Sequence, residues 1–257
     1  MTQVKLISSW SRPGGGTIAN IGLANLLNKN GIDCTFYGPH DWHLSQCNGN
    51  LLKEATITEE DTIITHFIQV PAGVKWKRHV LSCHETTLFP LKEVPLAQYD
   101  VIHFVSNSQK KWQGVIHPSV IIPPVVTKLQ WTNPNNKYAG IVGSIDHNKQ
   151  THLSIQRAVK DGYKALLFGD ITDLPYFNRL VSPLVDKGSA TLMGHEDDRE
   201  EMYSHVSCVY HTSLRETYGL VEVECKLAGI PFNGPSNNQE ILEEEEIFER
   251  WKKCLNL

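Results

Sequence analysis

Short β-rich runs alternating with helical runs, one break in that alternation, and its resumption with the same rhythm predict an α/β chain of two successive Rossmann-like units facing a cleft. The chain has 257 residues with 40% apolar content, enough for one large or two small domains with real cores. The first strand is Val4 to Ser8, Gly14 to Gly16 is a turn, and an amphipathic helix runs from Ile18 to Leu27 before Gly31 ends it. Buried-type strands follow at 34–37, 62–66, 79–83, 101–105 and 120–122. The stretch 123–137, with Pro123, Pro124 and Pro134, has no period and reads as a linker. Beyond it come strands at 139–142, 165–168, 190–193 and 208–211, with helices at 150–161, 176–186, 199–206 and 218–228. The expected organisation is a first domain 1–125, a linker 126–138, a second domain 139–236, and an acidic terminal helix in 237–257 with room to pack back on the first domain.

Charge excludes several functions. Lys plus Arg is 24 against 28 acidic residues, a net −4, which lacks the basic excess of a protein that grips nucleic acid through phosphates. Much of the acidity is the run Glu243 to Glu246, read as a solvated helix face. The apolar stretch Val4 to Ile7 is too short for a signal-peptide core or a membrane span, so a cytoplasmic location is expected. The six cysteines form no C-x-x-C pair and read as reduced, mostly packed thiols. His40 and His43 are the one close histidine pair, and no carboxylate or cysteine completes a metal-ligand spacing around them. Lys75-Trp76-Lys77-Arg78 and Lys110-Lys111-Trp112 interleave cations with tryptophan, as a surface for an acceptor polymer or an anionic membrane would; a plain solvated surface weighs more.

Gly14 to Ala19 joins a strand to a helix, where backbone amides and the positive helix end accept a phosphate. It also fits G-x-G-x-x-A, which raises an NAD(P)-dependent oxidoreductase. That reading needs an acidic residue closing the second strand, yet Tyr37, Gly38, Pro39 and His40 precede Asp41. No P-loop is present. The segment from His211 to Pro231 carries more. At ~100° per residue, Leu220, Val221, Val223, Leu227 and Ala228 share one helix face. Glu224 falls inside that face, so an internal partner or a substrate hydroxyl must satisfy it. Glu222 and Lys226 fall opposite, which makes Glu222 an ordinary surface glutamate. Glu216 lies at the carboxyl end of a strand, just before Gly219 and the helix, where open α/β sheets bind ligands.

Glu216, seven residues, then Glu224 and Cys-Lys-Leu-Ala-Gly-Ile-Pro231 resemble the E-x7-E segment of glycosyltransferase family 4, the group 1 glycosyltransferases. In the same order, Gly14 to Gly16 resembles that family's amino-terminal glycine loop, Ser82-Cys83-His84-Glu85 its histidine-acid pair, and Val120-Ile-Ile-Pro-Pro its strand before the linker. Gly140-Ile-Val-Gly143 through Lys149 resembles the opening of the donor domain, and Leu192 to Tyr203 the segment before the motif strand. The resemblance spans about residues 4 to 234. It implies a GT-B fold, here with a shortened carboxyl-terminal tail, and a metal-independent, hexosyltransferase-like enzyme that transfers sugar with retention. The donor would be a nucleotide-diphosphate sugar bound by the second domain, and the acceptor, a sugar, lipid-linked or protein group, would face the first; no cofactor is implied. By the resemblance, Glu224 would hold the donor ribose, Glu216 would sit beside the donor sugar, and Lys149 would neutralise the leaving diphosphate. The amides of Tyr218, Gly219 and Leu220 would bind donor phosphate and sugar, Gly15 and Gly16 would close on them, and His84 would lie near donor sugar and acceptor. Ser144 stands where the family commonly has an arginine. That departure and the short tail keep a catalytically inactive nucleotide-sugar-binding or scaffold protein as the alternative.

Overall fold

The computed structural model describes residues 3–10, 14–39, 44–68, 75–85, 95–237 and 239–257. They form two compact units, Met1–Val125 with Gln239–Leu257, and Val126–Asn238. In the first unit the order is β1 Val4–Ser8, α1 Gly15–Lys29, β2 Cys34–Gly38, β3 Gly49–Leu51, β4 Thr62–His66, β5 Arg78–Cys83, β6 Val101–Phe104, α2 Asn107–Gln113 and β7 Ser119–Ile121. The strands make one parallel sheet in the order β3-β2-β1-β4-β5-β6-β7. Strands buried on both faces read as continuous apolar runs, which is why β1, β4 and β5 are legible in sequence. β3 is a three-residue edge strand begun by a glycine and carries no periodic signal. α2 is polar over most of its length; the Ser106 hydroxyl caps it by accepting Gln109 N–H at 3.1 Å, and Gly114 ends it in the left-handed region.

The second unit runs β8 Tyr138–Val142, α3 Thr151–Lys160, β9 Lys164–Phe168, α4 Leu174–Tyr176, a π turn Phe177–Val181, α5 Ser182–Asp186, β10 Ala190–Gly194, α6 Arg199–Ser204, β11 Cys208–Tyr210, α7 Leu220–Ala228 and β12 Phe232–Asn233. Its parallel sheet has the order β10-β9-β8-β11-β12. Both sheets start at a central strand, wind outward to one side, then cross to the other, the doubly wound pattern that leaves a ligand crevice at the carboxyl ends of the central strands. The helix expected at 176–186 is interrupted by the π turn because Pro183 has no N–H to give the preceding turn and crowds its carbonyls. α3, Tyr176 and Val181 cover one face of the sheet through Ile141, Leu167 and Tyr210. Met202, Tyr203 and Cys225 cover the other through Val142, Leu166 and Val209.

The final helix, α8 Glu244–Leu255, belongs to the first unit. Its Ile247, Trp251, Cys254 and Leu255 join the core built by α1, Val4, Leu6, Ile64 and Val80. Glu244 to Glu246 stay exposed in its first turn, where negative charge complements the helix dipole. Arg250 holds Glu246 at 2.8 Å and Glu240 at 3.0 Å. All six cysteines are free, and five are buried.

Candidate functional site

In the second unit the predicted residues gather at the carboxyl ends of β8 and β11. The loop after β8 is tied by Asp146, which accepts the Ser144 hydroxyl at 2.6 Å and the Lys149 N–H at 2.8 Å. Lys149 thereby stands two residues ahead of α3 with its side chain reaching the loop after β11, and its ammonium donates to Glu216 Oε1 at 2.6 Å. His211 Nε2 donates to the same oxygen at 2.8 Å. Burial pushes the Glu216 carboxyl up, but the Lys149 charge and the His211 hydrogen bond outweigh it and hold the group at about 2. Glu216 is therefore a carboxylate at any physiological pH, and among the described residues its Oε2 has no hydrogen-bond partner. Gly219, at φ +81, starts α7 directly beyond it, and the first turn of a helix presents N–H groups with no partner inside the helix. The site therefore sets a cation, an anion acceptor built from amides, and a fixed carboxylate side by side.

Glu224 is buried, and its partner is internal: the Tyr203 hydroxyl donates to Oε2 at 2.6 Å, and Arg199 Nε stands 3.6 Å from Oε1. Glu222 corrects the sequence reading. It is only 2% exposed, because the segment after β12 folds over that side of α7. Its carboxylate accepts Lys226 Nζ at 2.6 Å, the Ser236 hydroxyl at 2.7 Å and the Asn237 N–H at 3.0 Å. A helical wheel sees only the sheet side of α7 and has no means of registering a covering loop that follows the next strand. Arg215, just ahead of Glu216, is exposed and has no hydrogen bond or ion pair through its guanidinium among the described residues.

In the first unit Gly15 and Gly16 open α1. A Cβ on Gly16 would stand 3.2 Å from Glu85 Oε1, 3.3 Å from His66 and 3.4 Å from His84, so the glycine loop and the histidine-acid pair are neighbours. Sequence reasoning passed over His66, His103 and Gln109, and gave Ser82 no role beside the histidine-acid pair. His66 Nε2 donates to Glu85 Oε1 at 3.1 Å, while the Ser8 hydroxyl meets His66 Nδ1 at 2.8 Å. Gln109 donates to the carbonyls of Cys83 (3.0 Å) and Glu85 (3.2 Å) and accepts Val105 N–H at 2.8 Å, which fixes the backbone that carries His84. Ser82 Oγ lies 3.0 Å from His84 Nε2 and 2.9 Å from His103 Nδ1. Burial, then the neighbouring His66 and His103, push His84 well below 6.5; burial holds His103 at about 4. One signal in the sequence marks these residues: His66, Ser82 and His103 are polar positions near the carboxyl ends of otherwise apolar parallel strands.

His40 and His43 lie outside the described residues. Among the described residues no cluster of His, Cys, Asp or Glu could hold a metal ion, and no helix is long and apolar enough to cross a membrane. Of the tryptophan-cation patches, Trp76 is half-buried and packs on His79, whereas Trp112 is exposed beside Lys111.

Acid stability follows from the buried imidazoles. Burial holds His79 as well as His103 near 4, so below 6.5 the unfolded chain takes up protons that the folded one refuses. Stability is expected in full above about 6.5 and to fall as pH drops from 6.5 towards 4. Glu216 adds a second loss between 4.5 and about 2, because the unfolded carboxyl protonates first. Urea unfolding followed by tryptophan fluorescence, stepped through both windows, measures this; a midpoint flat from 6.5 to 4 contradicts the buried neutral histidines.

No family profile matches the chain, and no curated protein matches it by sequence. Solved structures do. Anabaena HepE in complex with UDP and glucose superposes with a TM-score of 0.69 at 14% identity, covering 90% of this chain and 80% of that one. WaaG, a glycosyltransferase involved in lipopolysaccharide biosynthesis, gives 0.63 at 13% identity over 100% of this chain and 91% of that one. AviGT4, a glycosyltransferase involved in avilamycin A biosynthesis, gives 0.63 at 12% identity over 99% and 93%. The chain has the fold of the GT-B glycosyltransferases, with one Rossmann-like sheet in each of its two units.

Proposed function

We propose that the chain is a retaining glycosyltransferase of the family 4 type, acting in the cytoplasm on a nucleotide-diphosphate sugar without a cofactor or metal. The observation that carries this reading is the cluster of Lys149, His211 and Glu216 directly ahead of the α7 amino terminus. A departing diphosphate carries about two negative charges, and a positioned lysine with the backbone amides of Tyr218, Gly219 and Leu220 at the start of α7 is chemistry suited to receive them. Lys149 is already held by Glu216, so it needs no reorganisation as charge develops on the leaving group. The second carboxylate oxygen of Glu216 is left for the hydroxyls of the donor sugar and for the positive charge that builds at the anomeric carbon. Glu224, anchored by Tyr203 and with Arg199 3.6 Å from its other oxygen, holds the ribose in this reading. By the resemblance, Gly15, Gly16 and His84 of the first unit would serve the sugar. HepE was solved with UDP, which makes UDP the first nucleotide to try here.

Thermal unfolding of the full chain with UDP, GDP, ADP and NAD in parallel is the test. A ligand at ~100 times its dissociation constant adds about 2.7 kcal/mol of stability. A rise with one nucleoside diphosphate is expected, together with release of that nucleotide from its sugar conjugate. A rise with NAD alone sinks the reading, and tight nucleotide binding without turnover points to the inactive scaffold.

A further inference from the structure

We propose that Ser82 and His103 form a hydrogen-bond relay that fixes the tautomer of His84, leaving its Nδ1 as a bare acceptor for a substrate hydroxyl. The relay can be followed proton by proton. His103 Nε2 lies 2.8 Å from the Ile122 carbonyl oxygen, which only accepts, so Nε2 carries the hydrogen. His103 is neutral at pH 7, held so by burial, so its Nδ1 has a lone pair. That lone pair, 2.9 Å from Ser82 Oγ, takes the one proton the hydroxyl has. Ser82 Oγ then has only lone pairs to offer the His84 Nε2 at 3.0 Å, so His84 must donate there. In a neutral ring this leaves His84 Nδ1 unprotonated, and among the described residues that atom has no hydrogen-bond partner.

The fold explains why the relay is rigid. Ser82 and His103 are register partners on β5 and β6, so their side chains lie on one face of the sheet. On that face Val80 and Val101 stand one step earlier on each strand, with α8 above them. Trp251 of α8 lies against the His103 ring, with centroids 4.5 Å apart. A hydroxyl and an imidazole each 2% exposed are costly in such a place unless they are paired, and here each is paired on both sides. An unprotonated nitrogen repels an anionic phosphate oxygen and accepts from a sugar hydroxyl. Ser82 and His103 are thus positioning residues, and they make His84 a hydroxyl reader rather than a phosphate clamp.

The hydroxyl-reading role rests on the transferase reading; the tautomer does not, and the experiment separates them. In full-length protein labelled with 15N-histidine, long-range nitrogen–proton NMR at neutral pH reads each ring, with His84→Gln and His103→Gln giving the assignments. The wild type is expected to show His84 protonated at Nε2 only, with that proton exchanging slowly. Ser82→Thr keeps a hydroxyl and Ser82→Val, of the same shape, does not. Thr is expected to retain the slow proton and the turnover, whereas Val loses the slow exchange and lowers kcat about fivefold to tenfold, the worth of one hydrogen bond, with KM for the nucleotide sugar unchanged. A wild-type His84 protonated at Nδ1 or doubly protonated overturns the relay, as does a Val variant indistinguishable from Thr in the NMR. If the relay signals hold in a protein that transfers no sugar, the tautomer stands and the transferase reading falls.

Discussion

Lys149→Met is expected to lower turnover of the nucleotide sugar by about 10²- to 10³-fold, the cost of removing one preorganised donor from a site of developing charge. The side chain is 2.6 Å from Glu216 Oε1 and only 24% exposed, so its charge acts in a partly dry environment where water does not replace it. On the transferase reading the substitution removes an ammonium from the leaving diphosphate, and it also frees Glu216 of the strongest influence that keeps it ionised. His211 remains as its partner, so the carboxyl is expected to rise from about 2 back towards its ordinary 4.5, and the acid limb of the rate profile moves up with it. Lys149→Arg does not restore the rate in full, because a planar fork cannot occupy the position of a compact ammonium between carboxylate and phosphate. Single-turnover release of the nucleotide, compared with nucleotide binding by thermal shift, separates lost chemistry from lost affinity. A variant within about twofold of wild type would remove Lys149 from the reaction, since one ordinary hydrogen bond is worth more than that.

The fold was legible because parallel strands buried on both faces announce themselves as apolar runs, and most of the observed strands coincide with such runs to within a residue or two. What escaped was short or polar: β3, β12 and α2 have too few apolar positions to set a period. The site divides in the same way. Glu216 and Glu224 were visible because both lie on one local segment, where spacing carries information. Lys149 was placed only by resemblance, and His211 stands in the same segment without a pattern that assigns it a partner. Glu222 was misjudged because its burial comes from Ser236 and Asn237, beyond the next strand. Ser82 and His103 meet across strands 21 residues apart in sequence, a contact that only the register of β5 and β6 creates. Local chemistry is written in local sequence; chemistry assembled between neighbouring strands is not.

Gly169→Ala is expected to destabilise the second unit by about 4 kcal/mol, enough to leave a large part of it unfolded at ordinary temperatures. Two costs add. Gly169 has φ +145, which side chains rarely adopt, and strain of this kind is worth on the order of 1–3 kcal/mol. A Cβ there would also sit on the Gly143 carbonyl group, 2.7 Å from its carbon, and a comparable amount follows from forcing backbone apart in a packed interior. Neither strand end is free to yield. Gly143 N–H donates to the Phe168 carbonyl at 2.9 Å and Gly169 N–H to the Gly194 carbonyl at 2.8 Å, so β8, β9 and β10 are joined where their carboxyl ends meet. The loop that leaves Gly143 leads to Asp146 and Lys149, which means that any shift at Gly169 reaches the cation that faces Glu216. Loss of stability and loss of nucleotide binding should therefore appear together, whereas an equally disruptive change in the first unit should lower stability and leave the Lys149–Glu216 pair in place. Urea unfolding with Trp131 fluorescence as the reporter, alongside thermal shift with the nucleotide that binds wild type, measures both; an alanine variant with an unchanged midpoint would mean that the three strand ends do not meet as closely as their hydrogen bonds indicate.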